Sequence, residues 1–272
     1  MADPMYRQIA EELRRQIESG ELEPGVKLPT ELQLRELFDN ASRNTVRDAI
    51  RSLLTQGLVT TRPGQGTFVA HRIEPFQITL SRDTDTGLGG GEGIAYRSAA
   101  LAQQRKPEAS TPEVKIQAAD EVPARELRVP AGTSLICRHQ VLRIDKKPWS
   151  MQTSFYPIEF AAKAPLLIQA VDIEQGTVRY VAETLGFEQV GYQDQVSARP
   201  PNSGEVSFFK LPEAGVVVIE TIRTAYERSG QPIRCTVTVW PADRNRLVYN
   251  IGEVPKEIAS PPPSNDPGNG AG

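Results

Sequence analysis

SRNTVRDA, residues 42–49, begins a predicted helix whose sides differ in chemistry. Ser42 is expected to cap this helix, because its side-chain oxygen can accept a hydrogen bond from the first turn. Arg43, Arg47 and Arg51 recur at every fourth position and therefore lie along one side. Apolar residues with helical spacing form another side: Val46, Ala49, Ile50 and Leu53. The stretch predicts a helix that packs on a core and presents arginines to the outside.

Two helices and a hairpin are predicted around this helix. The first helix is expected to have Asp3 as its N-cap and Pro4 as its first residue, and Gly20 ends it. Thr30 and Gln33 form a capping box, which predicts a short second helix. Two short strands are predicted, Leu58–Arg62 and Thr67–Val69, and the glycine-containing turn Pro63–Gly66 joins them. This order of elements predicts an N-terminal winged helix-turn-helix fold, mainly α with a small β wing.

The arginine-bearing side of the third helix is the candidate DNA-binding surface. In a helix-turn-helix, the N-terminal part of the second motif helix enters the major groove. Arginine can pair there with guanine and asparagine with adenine, while other arginines hold phosphates. The predicted DNA-binding residues are Thr30, Arg43, Asn44, Thr45, Arg47, Arg51, Arg62, Gly64 and Gln65. Arginines that merely solvate a surface helix are the alternative, which the capped helix and glycine wing disfavour.

Composition and charge limit the classes of protein to which the chain can belong. The formal net charge of -3 does not exclude DNA binding, because a local basic surface is sufficient. No apolar stretch approaches the roughly 18 residues of a membrane span, and the chain starts without a signal-sequence pattern. We therefore expect a cytoplasmic protein that has no membrane partner.

Cysteine and histidine are too sparse to predict a metal site. Cys137 and Cys235 have no CxxC spacing, and His71 and His139 are not grouped with other potential ligands. The two cysteines are expected to be small apolar strand residues rather than a disulfide, although their separation is left open. No catalytic residue set and no cofactor motif is found, so an enzyme is not expected.

The second half of the chain contains an internal repeat. Leu127–Pro157 and Leu211–Pro241 each consist of two apolar strands around a polar turn. The four strands are expected at Ser134–Ile144, Pro148–Pro157, Val216–Tyr226 and Pro232–Pro241. Ile173–Leu185 has the spacing of a helix, and Gln189–Ala198 alternates like a strand. The pattern predicts a C-terminal α+β domain built on one antiparallel sheet.

The domain boundaries follow from composition. We expect a DNA-binding domain over 1–75, a flexible glycine-rich linker over 76–112, the α+β domain over 113–252 and a disordered tail over 253–272. The linker has room for one short helix near Tyr96–Gln104.

Three strings resemble the winged helix of the GntR family: Gly25–Glu31, Ser42–Ala49 and Gly64–Val69. The resemblance implies that Arg43, Asn44, Thr45, Arg47 and Gly64 contact DNA. Many members carry arginine where this chain has Leu32, so the resemblance does not extend to operator preference.

Residues Val114–Asn250 resemble the UTRA domain, the α+β sensor of HutC-type GntR regulators, which is similar in fold to chorismate lyase. The residues that carry the likeness are Asp145–Pro148, Gln152–Ser154, Arg223, Gly230–Pro232 and Ala242–Tyr249. The resemblance implies an effector pocket between sheet and helix. Its candidates are Arg138, Gln140, Leu142, Gln152, Thr177, Arg179, Arg234 and Trp240.

The pocket candidates lack a phosphate clamp that the family's sugar-phosphate sensors carry. Those sensors typically have arginines at the positions of Gln140 and Leu142 and a glutamate at that of Gln152. A neutral or acidic metabolite that uses Arg138 or Arg234 is the resulting hypothesis. Ordinary strand roles for all these residues, with Trp240 in the core, are the alternative.

These observations predict a homodimeric repressor that binds an inverted-repeat operator in double-stranded DNA and is released by a small-molecule effector. Two rival functions stay open. The first is a ligand-independent repressor of the plasmid-transfer type, and the second is a chorismate-lyase-like enzyme.

Overall fold

The computed structural model describes residues 3–62, 64–70, 75–80, 93–211, 216–250 and 254–255. These residues divide into two compact units. Those within Met1–Glu74 and Pro201–Val217 form the first, and those within Pro75–Pro200 and Val218–Gly272 form the second. Among the described residues, no helix combines the length and apolar character needed to span a bilayer.

The first unit contains the predicted winged helix-turn-helix. Its elements are α1 (Met5–Glu18), α2 (Glu31–Leu37), α3 (Arg43–Thr55), β1 (Val59–Arg62) and β2 (Gly66–Val69). The buried apolar residues of all three helices and both strands form one core, which includes Ile9, Leu13, Leu34, Val46, Leu53, Val59 and Val69. The periodicity of the sequence therefore identified the faces that pack together.

Side-chain caps fix where α2 and α3 begin. Ser42 Oγ accepts a hydrogen bond from the N–H of Thr45 at 3.1 Å. Thr30 and Gln33 form the predicted capping box in both directions. The prediction for α1 was wrong, because Pro4 is its N-cap residue and no side chain caps it. Asp3 lies instead 3.7 Å from the Arg7 guanidinium in an exposed ion pair.

The wing is a short antiparallel hairpin in which Val59 pairs with Val69 and Arg62 with Gly66. Gly64 and Gly66 have φ angles of 70° and 114°, which L side chains rarely adopt. The turn therefore requires glycine at both positions. Pro63 lies outside the described residues.

The second unit is built around a sheet of antiparallel strands. Its elements are β3 (Phe76–Thr79), α4 (Gly93–Ala102), β4 (Pro107–Ala109), β5 (Glu113–Ala118), α5 (Glu121–Leu127), β6 (Ser134–Ile144), β7 (Lys147–Pro157), α6 (Thr177–Leu185), β8 (Gly191–Arg199), β9 (Val218–Tyr226), β10 (Pro232–Pro241) and β11 (Asn245–Val248). A further helix, α7 (Ser203–Phe209), lies among residues of the first unit. The helices α5 and α7 were not predicted.

The strand order in the main sheet is β4-β6-β7-β10-β9-β8, and β5 also pairs with β6. The two repeated hairpins, β6–β7 and β9–β10, meet through the pairing of β7 with β10, as the prediction of a single sheet required. The predicted helix over 173–185 begins only at Thr177, because Gly176 takes a φ of 79° at the N-cap. Residues 212–215 of the second repeat lie outside the described residues.

The predicted linker over 76–112 contains ordered structure where it is described. Strand β3 pairs in parallel with β11, and both Phe76 and Ile78 are buried. Gln103 binds the N–H and the carbonyl of Gln77 at 3.1 and 2.9 Å. Alternating apolar residues at 76, 78 and 80 explain the strand. The glycine-rich 81–92 and the predicted tail over 253–272, except 254–255, lie outside the described residues.

Both cysteines are buried strand residues, and the described residues form no disulfide through either of them. Cys137 on β6 and Cys235 on β10 both lie opposite Phe155 on the strand between them. They are therefore separated by two strand spacings, roughly 10 Å, which is too far for a disulfide.

Candidate functional site

The arginines of α3 are exposed and weakly held. The side chains of Arg43, Arg47 and Arg51 are 66%, 53% and 73% exposed. Glu31 on α2 lies 3.9 Å from Arg43 and 2.9 Å from Arg47, and Asp48 lies 2.8 Å from Arg51. Exposed pairs of this kind contribute about 0 to 1 kcal/mol. Their arginines can therefore exchange a carboxylate for a phosphate at little free-energy cost.

The other candidates at this end of α3 divide into surface and capping residues. Asn44 is exposed. The hydroxyl of Thr45 lies 2.8 Å from that of Ser42, and the Thr30 hydroxyl belongs to the capping box of α2. The two threonines thus position the helices through the same atoms that a phosphate contact would use.

The wing adds a second group of cations. The Arg62 guanidinium stacks on Phe68 with 4.3 Å between its central carbon and the ring centroid. Gly64 and Gln65 are exposed at the turn. Lys27 was not predicted, although it lies within the string Gly25–Glu31. A Cβ added at Gly66 would lie 2.8 Å from Lys27 Cε, so this lysine packs against the wing.

The second unit contains a pocket between the sheet and the N-terminus of α6. The empty space in and in front of this pocket, including open solvent at its mouth, is about 710 Å³. Six predicted effector residues line it: Arg138, Gln140, Gln152, Thr177, Arg179 and Arg234. Trp240 and Leu142 do not. Trp240 is buried in the core, six residues or roughly 20 Å along β10 from Arg234, as the alternative of a core role for Trp240 expects.

Arg138 is a buried clamp. Its guanidinium donates four hydrogen bonds of 2.8 to 2.9 Å to the carbonyl oxygens of Leu166, Leu167, Gln169 and Val171. Burial lowers the pKa of this guanidinium, and the nearby Tyr156 and Asp172 only partly oppose that effect. Arg138 therefore orders the segment before α6 and brings a positive charge to the wall of the pocket.

The remaining polar residues differ in how firmly they are held. Gln140 donates from Nε2 to the carbonyl of Ser110 at 2.9 Å. Arg234 is 4% exposed and donates to Gln189 Oε1 at 3.2 Å. Arg179 is mostly exposed and pairs with Glu183 at 2.7 Å. The pocket thus has one neutral polar end and one end that holds a buried cation.

Sequence reasoning missed several lining residues, of which Tyr156 is the most informative. Tyr156 is 2% exposed, and its hydroxyl makes no hydrogen bond to a described residue. Gln175 and Gln189 also line the pocket from the segments that flank α6. The alternation of β7 places Gln152, Ser154 and Tyr156 on one face, which was the available signal.

Comparison with known proteins identifies both parts of the chain. The family model described as bacterial regulatory proteins, gntR family, matches residues 5–69, and the UTRA domain model matches residues 102–246. An uncharacterized HTH-type transcriptional regulator of Rhizobium meliloti (strain 1021) is 30% identical over 248 residues, 91% of this chain and 95% of that protein. The chain belongs to the GntR family. It is a GntR-type transcriptional regulator that carries a UTRA domain.

Two further comparisons agree with this family. The protein named probable fructoselysine utilization operon transcriptional repressor of Escherichia coli (strain K12) is 28% identical over 90% of this chain and 94% of its own length. A crystal structure assigned to the GntR-family transcriptional regulators has a TM-score of 0.69 at 24% identity and covers 93% of this chain and 99% of that one. The latter likeness shows the shared fold.

In this GntR-family chain the two sets of predicted site residues fall in different matched segments. Every candidate DNA-binding residue, from Thr30 to Gln65, lies within the part that matches the gntR model. Every predicted effector residue that lines the pocket, from Arg138 to Arg234, lies within the UTRA match. The described residues contain no group of three or more His, Cys, Asp or Glu side chains placed to hold a metal ion.

Proposed function

We propose that this regulator represses transcription by binding an inverted-repeat operator in the cytoplasm and that a small-molecule effector in the UTRA pocket releases it. The exposed, exchangeable arginines at the start of α3 carry the proposal. Arg43, Asn44 and Arg47 would contact base edges, because the N-terminal part of this helix is the part that enters the major groove.

The other DNA candidates would hold the backbone. Arg51 lies one turn farther along α3, and Arg62, Gly64 and Gln65 lie in the wing, where phosphates or the minor groove are reached. Thr30 and Thr45 would combine helix capping with a phosphate contact. Such contacts make affinity fall steeply with salt, because each neutralised phosphate releases counterions.

A homodimer follows from the size of the reading surface. One helix of this length contacts only a few base pairs, so useful affinity requires two copies on two half-sites. An effector would then act by favouring a dimer whose DNA-binding domains do not fit the operator. The relative named as a repressor supports the proposed sign of regulation.

We infer sensing rather than catalysis for the UTRA pocket. The described residues that line it include no histidine, cysteine, aspartate or glutamate that could act as a general base. Turnover of chorismate by the full-length protein would contradict this inference. The alternative of a ligand-independent repressor has less support, because the UTRA unit contains an open pocket lined by polar groups that a ligand can reach.

The decisive experiment is selection of DNA from a random pool with the full-length protein, followed by titration of the enriched site. We expect an inverted repeat. The variants Arg43→Ala and Arg47→Ala should each weaken binding by about 1 to 3 kcal/mol. Arg228→Ala is the matched control, because Arg228 is 80% exposed in the other unit and pairs only with Glu188 among the described residues.

The outcomes separate the proposals. No enriched sequence, or unchanged affinity in both α3 variants, would overturn the assignment of α3. A selected site without two-fold symmetry, bound by a species of monomer mass in light scattering, would overturn the dimer. A compound that binds the pocket while operator affinity stays constant would overturn release by an effector.

A further inference from the structure

The described charged residues that line the pocket are all cationic. Among the described residues that line it are three arginines and no aspartate or glutamate. Arg138 has no carboxylate within ion-pair distance among the described residues, and its four acceptors are neutral carbonyls. A buried cation without a counterion is unfavourable in a medium of low dielectric constant. The pocket therefore favours a ligand that carries negative charge.

Unused hydrogen-bond donors lie at one end of this pocket. The N-cap residue of α6 is Gly176, which has no side chain to cap the helix, and the first N–H groups of a helix have no acceptor within the helix. Tyr156 lines the same pocket, and its buried hydroxyl makes no hydrogen bond to a described residue. A smaller adjoining pocket is lined by Tyr156, Thr177, Val178 and Arg234 as well, so these groups are close neighbours.

Strand register brings Arg234 to the level of Tyr156. Cys235 pairs with Phe155 at the end of the β7–β10 pairing, so Arg234 and Tyr156 are the next residues along these two strands, and both line the pocket. Both are nearly fully buried. A helix N-terminus, a guanidinium and a tyrosine hydroxyl all donate, and together they match the oxygens of one acidic group.

We propose that the pocket binds a small organic anion whose acidic group is held by Arg234, the Tyr156 hydroxyl and the first N–H groups of α6. This inference rests on the proposed effector site and names the class of ligand. The proposed position of the acidic group is not the end of the pocket where the family's sugar-phosphate sensors carry their phosphate clamp. At that end the Gln140 amide binds Ser110, and Gln152 is neutral.

The neutral end defines the rest of the ligand. Gln152 is four residues from Tyr156 along β7, a distance of roughly 13 Å. Gln140 lies directly opposite Gln152 on β6. The amide of a glutamine has both donors and an acceptor, so it can bind a hydroxyl or a carbonyl group. The ligand is thus an acid with uncharged polar groups at its far end, such as a sugar acid or a polar carboxylic acid.

The test is a thermal-shift comparison of full-length protein with acids and their neutral counterparts at matched ionic strength. The pairs are glutarate and glutaramide, D-glucuronate and D-glucuronamide, and glycerol 3-phosphate and glycerol. We expect at least one acid to raise Tm where its neutral partner does not. The first two pairs report carboxylates, and the third reports a phosphate monoester as the source of the acidic group.

Variants locate the effect. Arg234→Gln and Tyr156→Phe should each weaken binding of the acid about tenfold or more, because each removes a hydrogen bond to a charged group. Arg228→Gln should leave it unchanged. If Arg234→Gln fails to fold, Tyr156→Phe carries the test, since it removes only the hydroxyl.

Three results would overturn the inference. These are a panel in which no acid raises Tm more than its neutral partner, a neutral compound that binds more tightly than the acid, and an acid effect that survives both variants. A neutral compound that binds and releases operator DNA would refute the anion while leaving the proposed function intact. An acid that binds but leaves operator affinity unchanged would refute release by an effector while leaving the anion site intact.

Discussion

Arginines of α3 and arginines of the UTRA sheet have the same chemistry and opposite surroundings. Arg43, Arg47 and Arg51 are more than half exposed, and their carboxylate partners are exposed too. Arg138 and Arg234 are 7% and 4% exposed. Water screens the first group, so its ion pairs are weak and exchangeable. The second group has been desolvated, so every hydrogen bond that it makes or lacks affects stability.

The difference separates two ways of binding an anion. An exposed row of arginines suits a polyanion, which approaches from solvent and releases counterions. A buried guanidinium suits one small acid, because the acidic group must take the place of the water that would otherwise solvate the charge. Exposure therefore indicates the type of ligand where residue type alone does not.

Removing Arg138 should have the largest effect on stability. Arg138→Met removes a hydrogen-bond donor from each of four carbonyl oxygens and should destabilise the UTRA domain by about 3 kcal/mol or more. Both tryptophans of the chain, Trp149 and Trp240, lie in this unit, so tryptophan fluorescence in a urea titration reports its unfolding.

The control is Arg97→Met, which removes an exposed arginine whose ion pair among the described residues is with Asp172 at 2.8 Å. It should change stability by about 0.5 kcal/mol or less. Equal effects of the two substitutions would show that the clamp on the segment before α6 contributes little.

A buried carboxylate extends the comparison to acid pH. Glu126 on α5 accepts hydrogen bonds from Thr224 and Gln195 at 2.6 and 3.0 Å. Burial by itself would raise the pKa of Glu126, but these bonds and those from Arg125 outweigh it and lower the pKa. A lowered pKa in the folded state stabilises the fold above the usual pKa of 4.5, and the stabilisation is lost as pH falls through the folded value.

Glu126→Gln should therefore destabilise the UTRA domain by about 2 kcal/mol at pH 7 and by less near pH 3. Urea midpoints at the two pH values measure this. Glu183→Gln is the control, because Glu183 is exposed and pairs only with Arg179 among the described residues. A penalty for Glu126→Gln that is independent of pH would mean that the carboxylate charge is not what stabilises the site.

Tyr156→Phe should have a smaller effect of the opposite sign. The hydroxyl of Tyr156 is buried without a protein partner among the described residues, so removing it should stabilise the protein alone by about 1 kcal/mol. This corresponds to an increase in Tm of about 2 to 4 °C. A decrease in Tm would show that the hydroxyl supports the fold. Higher stability with weaker acid binding is the expected signature of a ligand contact.

Sequence predicted the first unit better than the second for a physical reason. The capping residues Thr30 and Ser42, the apolar periodicity and the wing glycines all act over a few residues, so the string itself specifies the structure. The hairpins of the UTRA sheet were predicted for the same reason, because alternation and turns are local.

The pocket depends on register, which local patterns do not specify. Arg138, Tyr156, Arg234 and the N-terminus of α6 are far apart in sequence and meet only through strand pairing. Trp240 does not line this pocket, because its position along β10 relative to Arg234 is set by strand pairing. The helix α7 was missed although Asn202 and Glu205 form a capping box, which was a usable signal.

The smallest stability change is expected for the arginines of α3. Arg43→Ala and Arg47→Ala remove only exposed pairs with Glu31, so each should change the stability of the first unit by about 0.5 kcal/mol or less. Thermal melts followed by circular dichroism at 222 nm, at low and high salt, measure this change. A loss of more than about 1 kcal/mol that vanishes at high salt would show that Glu31 uses these arginines to join α2 to α3. If stability stays constant while operator affinity falls strongly, these exposed arginines contribute to DNA binding and not to the stability of the fold.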